Sequence, residues 1–531
     1  MRRTPGRDLL AGVTVAIVAL PLALGFGQTS GLGAEAGLVT AIVAGVLAAL
    51  FGGSNLQVSG PTGAMTVVLV PIVAQHGPAG VLMVGLLAGL LLMALAVARA
   101  GRYMRYVPAP VVEGFTVGIA VVIALQQVPF ALGVDVHGER VIGVAFDAIV
   151  AFGRNPDWGA VGIAVGVAAV MLIGARWRPV IPFSLVAVAL ATILVEMTSL
   201  TTAHIGDLPR GLPLPSLDFL HLSELSHLIG PAIAVAALAA LESLLSATVA
   251  DGMSVGQRHD PDRELFGQGV ANIAVPMFGG VPATAAIART AVNVRSGATS
   301  RLAAISHALV LAAVVFALAP LVGKIPLAAL AGVLIATAVR MIEVGSVHAL
   351  ARSTRSDAIV LVLTFAATVV FDLVIAVLLG LAVAGALALR AVAKQARLDQ
   401  VPLDADDLPG EHSDEEHALL VEHIVAYRID GPLFFAAAHR FLLELSEVAD
   451  VQVVILRMSR VTTIDATGAL VIKDAVDRLT ARGVKVLISG VKPGQVQALD
   501  SVGAIAAVRA AGHVFDTTPE AISAAHQLVR R

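Results

Sequence analysis

The chain has 531 residues, 57% hydrophobic and 14% charged, with a formal net charge of −3, no cysteine and a mean hydropathy of +0.88. Soluble domains carry about 25% charged residues, so water is not this chain's main solvent. The absence of cysteine removes disulfides and thiol chemistry; the net charge says little, and no nucleic-acid partner is expected.

Apolar runs recur at 9–27, 36–52, 78–98, 107–131, 159–175, 180–195, 228–250, 302–322, 326–342 and 357–389. One crossing needs roughly 20 apolar residues, and the last run is long enough for two. A polytopic α-helical membrane domain embedded in a lipid bilayer follows. The first run has a basic head (Arg2, Arg3, Arg7) like a signal peptide, but with so many later spans it reads as a retained helix. It closes in "GFGQTS", where Gln28 either faces a site or caps the helix.

After the second run the chain interrupts itself with "SGPTGAM", residues 59–65. A related interruption, "GGVPATAAIART", stands at 279–290. Backbone outside a helix is tolerated at membrane depth only where protein buries it or it lines a cavity. In each break Gly and a short extended stretch lead to a Pro, and a Pro-started half-helix is expected to follow. Two half-helix N-termini aimed at the protein centre would make an anion site from free N–H groups and the positive ends of two helix dipoles. The hydroxyls of Ser59, Thr62 and Thr284 could add hydrogen bonds. Arg289, placed about two turns into the second half-helix, adds a full positive charge.

In 228–250, Glu242 is the one charge in an apolar segment. Intramembrane carboxylates are costly and mark functional sites. Ser246, four residues on, shares its helix face. Together they could ligate Na⁺ as a coupling ion; the carboxylate alone could carry H⁺. No resident cofactor is expected. Asp251 and Glu264 read as ordinary charges at a membrane face.

Arg and Lys near the span ends set orientation. With the N-terminus inside, Arg99, Arg102, Arg105, Arg176, Arg178, Arg258, Arg263, Arg295, Arg301, Arg352 and Arg355 all fall on the cytoplasmic side. The scheme closes with fourteen segments and both termini in the cytoplasm, provided 54–75 and 279–294 count as crossings. Pro61 and Pro282 lie 221 positions apart, and Pro108 and Pro326, in a second pair of similar stretches, 218. Two echoes at nearly one offset indicate a duplication. With seven segments per half, the second half runs upside down relative to the first, the plan of many secondary transporters.

Past Arg397 the composition turns acidic and Pro-rich. The expected division is a transmembrane domain over 1–396, a solvated linker over 397–417 and a cytoplasmic α/β domain over 418–531, in which strand-like and helix-like stretches alternate.

"ALPLALGFGQTSGL", "GGSNLQVSGPTGAMTVV", "LAALESLLSATVADGM" and "GGVPATAAIARTAVNVRSGA", followed by the α/β tail, together resemble the SulP (sulfate permease) family of anion transporters with a C-terminal STAS domain, close to its bacterial bicarbonate and sulfate branch. The resemblance implies a seven-plus-seven inverted repeat split into a core and a gate, an elevator motion, and homodimers formed partly through the tail. It also implies a substrate held between segments three and ten. Carried onto this chain, Pro61, Thr62, Gly63 and Ala64 open segment three, Ala283, Thr284, Ala285 and Ala286 open segment ten, and Phe26 and Gln28 approach from segment one. Glu242 takes the acidic cation-coupling position of segment eight; the bicarbonate branch carries Asp and then Thr there as its sodium ligands, where this chain has Glu242 and Ser246. In the tail, "TIDATGALVI" resembles the STAS signature, with Thr467 at the position phosphorylated in related anti-sigma-factor antagonists and Asp465 able to cap the helix.

The expected function is secondary active transport of an inorganic oxyanion, sulfate or bicarbonate, across the cytoplasmic (inner) membrane. Its alternatives are a dicarboxylate or other anion carrier, and a membrane-anchored signalling protein acting through its STAS domain. No nucleophile–base set or metal-ligand cluster is visible, so an enzyme is not expected.

Overall fold

Long runs of Ala, Val, Leu and Gly become helices in an apolar medium because a helix pairs every backbone N–H and C=O within its own segment. The computed structural model describes residues 5–136, 138, 140–177, 182–198, 200, 202–254, 257–371, 373–394, 397–401, 423–434 and 451–530. Its contacts divide the chain into two compact units, Met1–Ala384 and Gly385–Arg531.

The first unit opens with α1 (Pro5–Thr29) and α2 (Ala34–Phe51), then the two-residue strand β1 (Ser59–Gly60). Helix α3 (Gly63–Val97) is two helices in one, bent at Gly77, whose φ of 67° precedes Pro78. Next come α4 (Ala109–Gln126), the short α5 (Val128–Leu132), α6 (Val141–Arg154), α7 (Trp158–Trp177) and α8 (Phe183–Met197). The second half repeats the plan with α9 (Leu225–Met253), α10 (Pro261–Met277), strand β2 (Thr284–Ala285), α11 (Ile287–Arg295), α12 (Leu302–Val322), α13 (Leu327–Met341), α14 (Val344–Ser353), α15 (Arg355–Val370) and α16 (Leu373–Ala393). Nine helices among the described residues are long and apolar enough to cross a membrane. The two sides of the Gly77 bend, the shorter α8, α10 and α15, and the nine-residue α11 bring the segments to the expected fourteen. At about 1.5 Å per residue, α11 spans about 14 Å, half of a hydrocarbon core about 30 Å thick.

Packing sorts these helices into two sets. Helix α3 packs on α9 and α10, α2 on α1, α10 and α12, and α11 on α9. In the other set α4 packs on α13 and α15, and α13 on α7. Contacts of α4 with α3, and of α13 and α8 with α1, join the sets. Ile173 on α7, Leu190 and Ile193 on α8 and Val362 on α15 are exposed apolar side chains, as expected where the surrounding solvent is lipid.

The two interruptions meet. Strands β1 and β2 pair antiparallel, Ser59 opposite Ala285 and Gly60 opposite Thr284, and the Ala286 amide donates to the Val58 carbonyl at 3.0 Å. Each break thus satisfies part of the other's backbone, and because the strands are antiparallel, α3 and α11 leave the pair in opposite directions. Helix α10 completes the pairing: Asn272 Nδ2 donates to the Ala283 carbonyl at 2.9 Å, and the Ala283 amide donates to Asn272 Oδ1 at 2.8 Å.

Both breaks correct one expectation. Pro61 and Pro282 do not occupy a first helical turn: Thr62 is the N-cap of α3, and α11 starts at Ile287 behind an Ala286 N-cap, five residues past Pro282. Extended pairing uses the residues that the sequence suggests as helix, so Ala283, Thr284 and Ala285 precede segment ten rather than open it.

The second unit contains a sheet in the order β3-β4-β5-β7-β8 (Arg397–Val401, Ile424–Leu433, Val453–Arg457, Lys485–Ser489, Val514–Phe515), with β6 (Val461–Ile464) on β4. Among the described strands of this sheet, β3–β4 pairs antiparallel and the other pairs are parallel. Helices α17 (Ala466–Ala481), α18 (Pro493–Ser501), α19 (Ala506–Ala510) and α20 (Thr518–Val529) complete it. Leu456, Ile472, Val476 and Leu499 share one buried cluster, and Ile455, Leu487 and Ile522 another, so apolar side chains cover both sheet faces. That accounts for the apolar strands of a parallel sheet. Residues 397–401, expected to start the linker, are strand β3; the rest of that linker, and the helix-like stretch at 437–448, lie outside the described residues.

Replacing Asn272 with Leu keeps the branched outline of the side chain and strips two buried backbone groups of their partner. Each such group costs about 1–3 kcal/mol, so Asn272→Leu should lower the thermal unfolding midpoint of the purified protein by several degrees, measured by intrinsic fluorescence in detergent.

Candidate functional site

The helix starts that flank the strand pair carry the chemistry. At the start of α3, Thr62 Oγ1 accepts from the Met65 amide at 3.4 Å and the Thr62 carbonyl from the Thr66 amide at 3.2 Å. The amides of Gly63 and Ala64 make no hydrogen bond among the described residues. At the start of α11 the same holds for Ile287 and Ala288. Two sets of open donors therefore flank one strand pair, each at a positive dipole end worth roughly half an elementary charge. They differ in access: Gly63 and Ala64 are buried, Ala286 and Ile287 half-buried, and Ala288 exposed.

Arg289 stands in the first turn of α11, not two turns in, because the helix begins later than its Pro suggests. Its side chain is among the largest fully buried ones, 1% exposed. Nη2 donates to the Pro61 carbonyl of the opposite break. Nη1 is buried with no partner among the described residues, and it lies against Gly60, where an added methyl would collide with it. One guanidinium thus ties the two breaks together and keeps an unused donor beside them.

Glu242 on α9 is half-buried and accepts from Thr62 Oγ1 through Oε2 at 2.8 Å. Ser246 shares its helix but not its partner: its hydroxyl donates to Thr290 Oγ1 at 2.9 Å. The pair expected to hold a sodium ion is therefore divided between the breaks, the carboxylate on the first and the hydroxyl on the second. No cluster of three or more His, Cys, Asp or Glu suited to a metal ion occurs among the described residues.

The expected hydroxyl donors are largely engaged. Thr62 gives its proton to Glu242, and Thr284 Oγ1 lies 2.9 Å from Ser243 Oγ and 3.3 Å from the Ala239 carbonyl. Ser59 Oγ accepts from Gln268 Nε2 at 2.7 Å. Phe26, 6% exposed, and Ile123 of α4 both face Gly63, where a methyl would run into Ile123 and come within 3.1 Å of the Phe26 ring. Gln28 lies half-buried in the last turn of α1, its carbonyl accepting from the Gly31 amide at 3.2 Å. In the tail, Thr467 is exposed in the first turn of α17, and Asp465 caps that helix, accepting from the Gly468 amide at 2.7 Å.

Several residues that hold the site escaped the sequence reading. Ser243 lies between Glu242 and Ser246; its hydroxyl accepts from the Ala285 amide at 3.2 Å and its carbonyl from Gln57 Nε2 at 2.9 Å. Helix α10 carries Glu264, Gln268 and Asn272 at four-residue intervals, all buried. Glu264 is not an ordinary surface charge: it accepts from the Gly53 and Ser54 amides at 2.9 and 3.1 Å and from Gln268 at 2.9 Å. That spacing puts the three on one helix face and was the available signal. Thr290 and Asn293 grip the first break, accepting from the Val58 amide at 3.1 Å and donating to the Leu56 carbonyl at 2.7 Å. His307 on α12 is fully buried, neither ring nitrogen bonded among the described residues.

Residues 6–364 match the sulfate permease family and residues 418–521 the STAS domain. The putative sulfate transporter YvdB of Bacillus subtilis is 35% identical over 514 residues, covering 94% of this chain and 93% of that one. The bicarbonate transporter BicA of Synechocystis is 30% identical over 497 residues, covering 91% and 88%. Among solved structures, the transmembrane domain of a cyanobacterial BicA superposes with a TM-score of 0.64 at 31% identity, over 72% of this chain and 98% of that one. The murine Solute Carrier 26 family member A9 anion transporter, in the inward-facing state, reaches 0.85 at 16% identity over 99% and 92%, a likeness of fold.

The fit of Gly60 against Arg289 is testable by a double-mutant cycle. Gly60→Ala should destabilise both backgrounds, since the φ of 157° and the Ala41 Cα 3.3 Å from the added methyl oppose any side chain, but the Arg289→Ala background less, because there the methyl meets no guanidinium; equal losses in both would disprove the contact.

Proposed function

Since this chain belongs to the sulfate permease family, we propose that it is a secondary active transporter of an inorganic oxyanion, sulfate or bicarbonate, that works in the cytoplasmic membrane with both termini in the cytoplasm. The observation that carries the reading is the strand pair flanked by the two helix starts, with Arg289 bonded across it. Open amides on both sides, two dipole ends and one guanidinium suit an anion of either geometry. Relatives named for sulfate and for bicarbonate cover 94% and 91% of the chain, so the substrate class is supported at that breadth.

The two helix sets supply the moving parts. The strand pair packs on α2 and α9, in one set with α1, α3, α10, α11 and α12, and α4 and α13 of the other set meet that set through α3 and α1. Movement of the first set against the second, with the site carried along, would expose it to each face in turn, the elevator form of alternating access. Apolar contacts between the sets, such as Ile123 over Gly63 and Leu334 against Gly25, suit sliding.

Glu242 is assigned as the coupling residue, with the proton as the coupling ion. Its carboxylate receives one hydroxyl, from Thr62, while the Ser246 hydroxyl donates to Thr290 of the other break. A carboxylate with a single strong donor can exchange a proton, whereas a sodium ion would need several oxygens turned toward it. The Thr62–Glu242 bond also links the acid to the N-cap of α3, so a change of charge on Glu242 acts on the anion's own helix. The protein is further proposed to act as a homodimer, with Thr467 as a regulatory position of the STAS domain.

The test is uptake of labelled sulfate and bicarbonate into proteoliposomes under separately imposed proton and sodium gradients. Wild-type protein should accumulate one of the anions on an inward proton gradient. Glu242→Gln should abolish gradient-driven accumulation while retaining anion exchange. Accumulation that needs sodium would reassign the coupling ion, and Arg289→Gln with unchanged uptake would overturn the site.

A further inference from the structure

Helix α4 ends in two adjacent glutamines, Gln126 and Gln127, in an otherwise apolar stretch, 8% and 2% exposed. Gln127 is satisfied: Nε2 donates to Thr29 Oγ1 at 3.0 Å, and Thr29 donates in turn to the Gly25 carbonyl at 2.8 Å. Gln126 is not. Its Oε1 lies 3.2 Å from Thr66 Oγ1, and its Nε2 is buried with no hydrogen-bond partner among the described residues. A buried amide with unused donors is destabilising unless something completes it.

Its position says what could. Ile123 and Gln126 are three residues apart on α4 and share a face. Ile123 packs over Gly63, and Gln126 meets Thr66, three residues on along α3. Gly63 carries one of the open amides, and the Thr66 hydroxyl reaches back to the Gly63 carbonyl at 2.7 Å. A free carboxamide from the second helix set therefore stands beside the helix start where the first set presents its donors. An oxyanion offers acceptor oxygens on every side, and donors from α3, α11 and Arg289 all come from one set.

We propose that Gln126 is an anion-binding residue contributed by the second helix set, donating its Nε2 hydrogens to an oxygen of the oxyanion held at the start of α3. The assignment rests on the reading of the site given above and extends it to the opposite wall. Gln127 supplies an internal contrast, being next in sequence, equally buried and already bonded.

The experiment measures initial rates of labelled sulfate and bicarbonate uptake by reconstituted full-length protein, with thermal unfolding of each variant in detergent. Gln126→Leu should raise KM for the transported anion roughly tenfold or more, the usual loss for a hydrogen bond to a charged group. Gln126→Glu keeps the shape and can still accept from Thr66, but offers no donor and repels the anion, so uptake should be lost. Gln127→Leu should lower thermal stability and leave KM unchanged. Wild-type transport with an unaltered KM in Gln126→Leu overturns the assignment alone. If Gln126→Leu does not fold, the near-isosteric Gln126→Glu decides, and wild-type KM in that variant overturns it. Wild-type protein inert toward both anions overturns the site reading and this assignment with it.

Discussion

Everything at the centre of the membrane unit depends on the antiparallel pairing of two short extended segments, Ser59–Gly60 and Thr284–Ala285. A helix can cross a bilayer because it satisfies its own backbone; an extended segment cannot, and each unsatisfied peptide group in hydrocarbon costs several kcal/mol. Here each break brings the other a partner. What the strands leave over is taken by side chains of α9, α10 and α11: Ser243 for the Ala285 amide, Asn272 for both groups of Ala283, Thr290 for the Val58 amide and Asn293 for the Leu56 carbonyl. The polar residues of this apolar protein are concentrated where two non-helical segments must be held.

Pairing has a geometric consequence that serves function. Antiparallel strands send the following helices away in opposite directions, so both helix starts stay near the pair and their free amides remain unbonded. Neither start could be quenched by continuing a helix backwards, since the residues before it are already committed to a strand. Arg289 adds to this without undoing it: one nitrogen fastens the breaks through the Pro61 carbonyl, and the other is left over. One guanidinium thus fastens the breaks and still keeps a donor spare, and Gly60 has to lack a side chain to make room for it.

Charge is distributed by the same logic. Glu242 and Arg289 approach the strand pair from different helices, and the acid's hydrogen-bond partner is the N-cap hydroxyl of α3 rather than the arginine. An acid in direct contact with the guanidinium would satisfy it permanently. Holding Glu242 through Thr62 leaves the guanidinium a free donor and makes the cap of α3 responsive to the acid's charge. Glu264, by contrast, is bonded to two amides and Gln268 and closes the turn after α2. Two carboxylates on neighbouring helices therefore differ in how many donors each one meets.

Much of this was legible in the sequence. Apolar run lengths determine a membrane protein, since hydrocarbon thickness is fixed; Gly and Pro in two similar interruptions determine that two segments are broken; a lone Glu242 in an apolar run stands out because burying a charge is costly. The strand alternation of the tail and the Asp465 cap were equally readable, being local. Three-dimensional packing decided what local pattern cannot carry. Proline allows a helix to start but does not compel it, so only strand pairing could move the start of α11 from Pro282 to Ile287 and bring Arg289 into its first turn. Side-chain spacing put Glu242 and Ser246 on one face, but their partners, Thr62 and Thr290, come from segments far away in the chain. The duties of Glu264, Asn272 and Gln126 depend on what stands opposite each of them, and a single strand of sequence does not state its own neighbours.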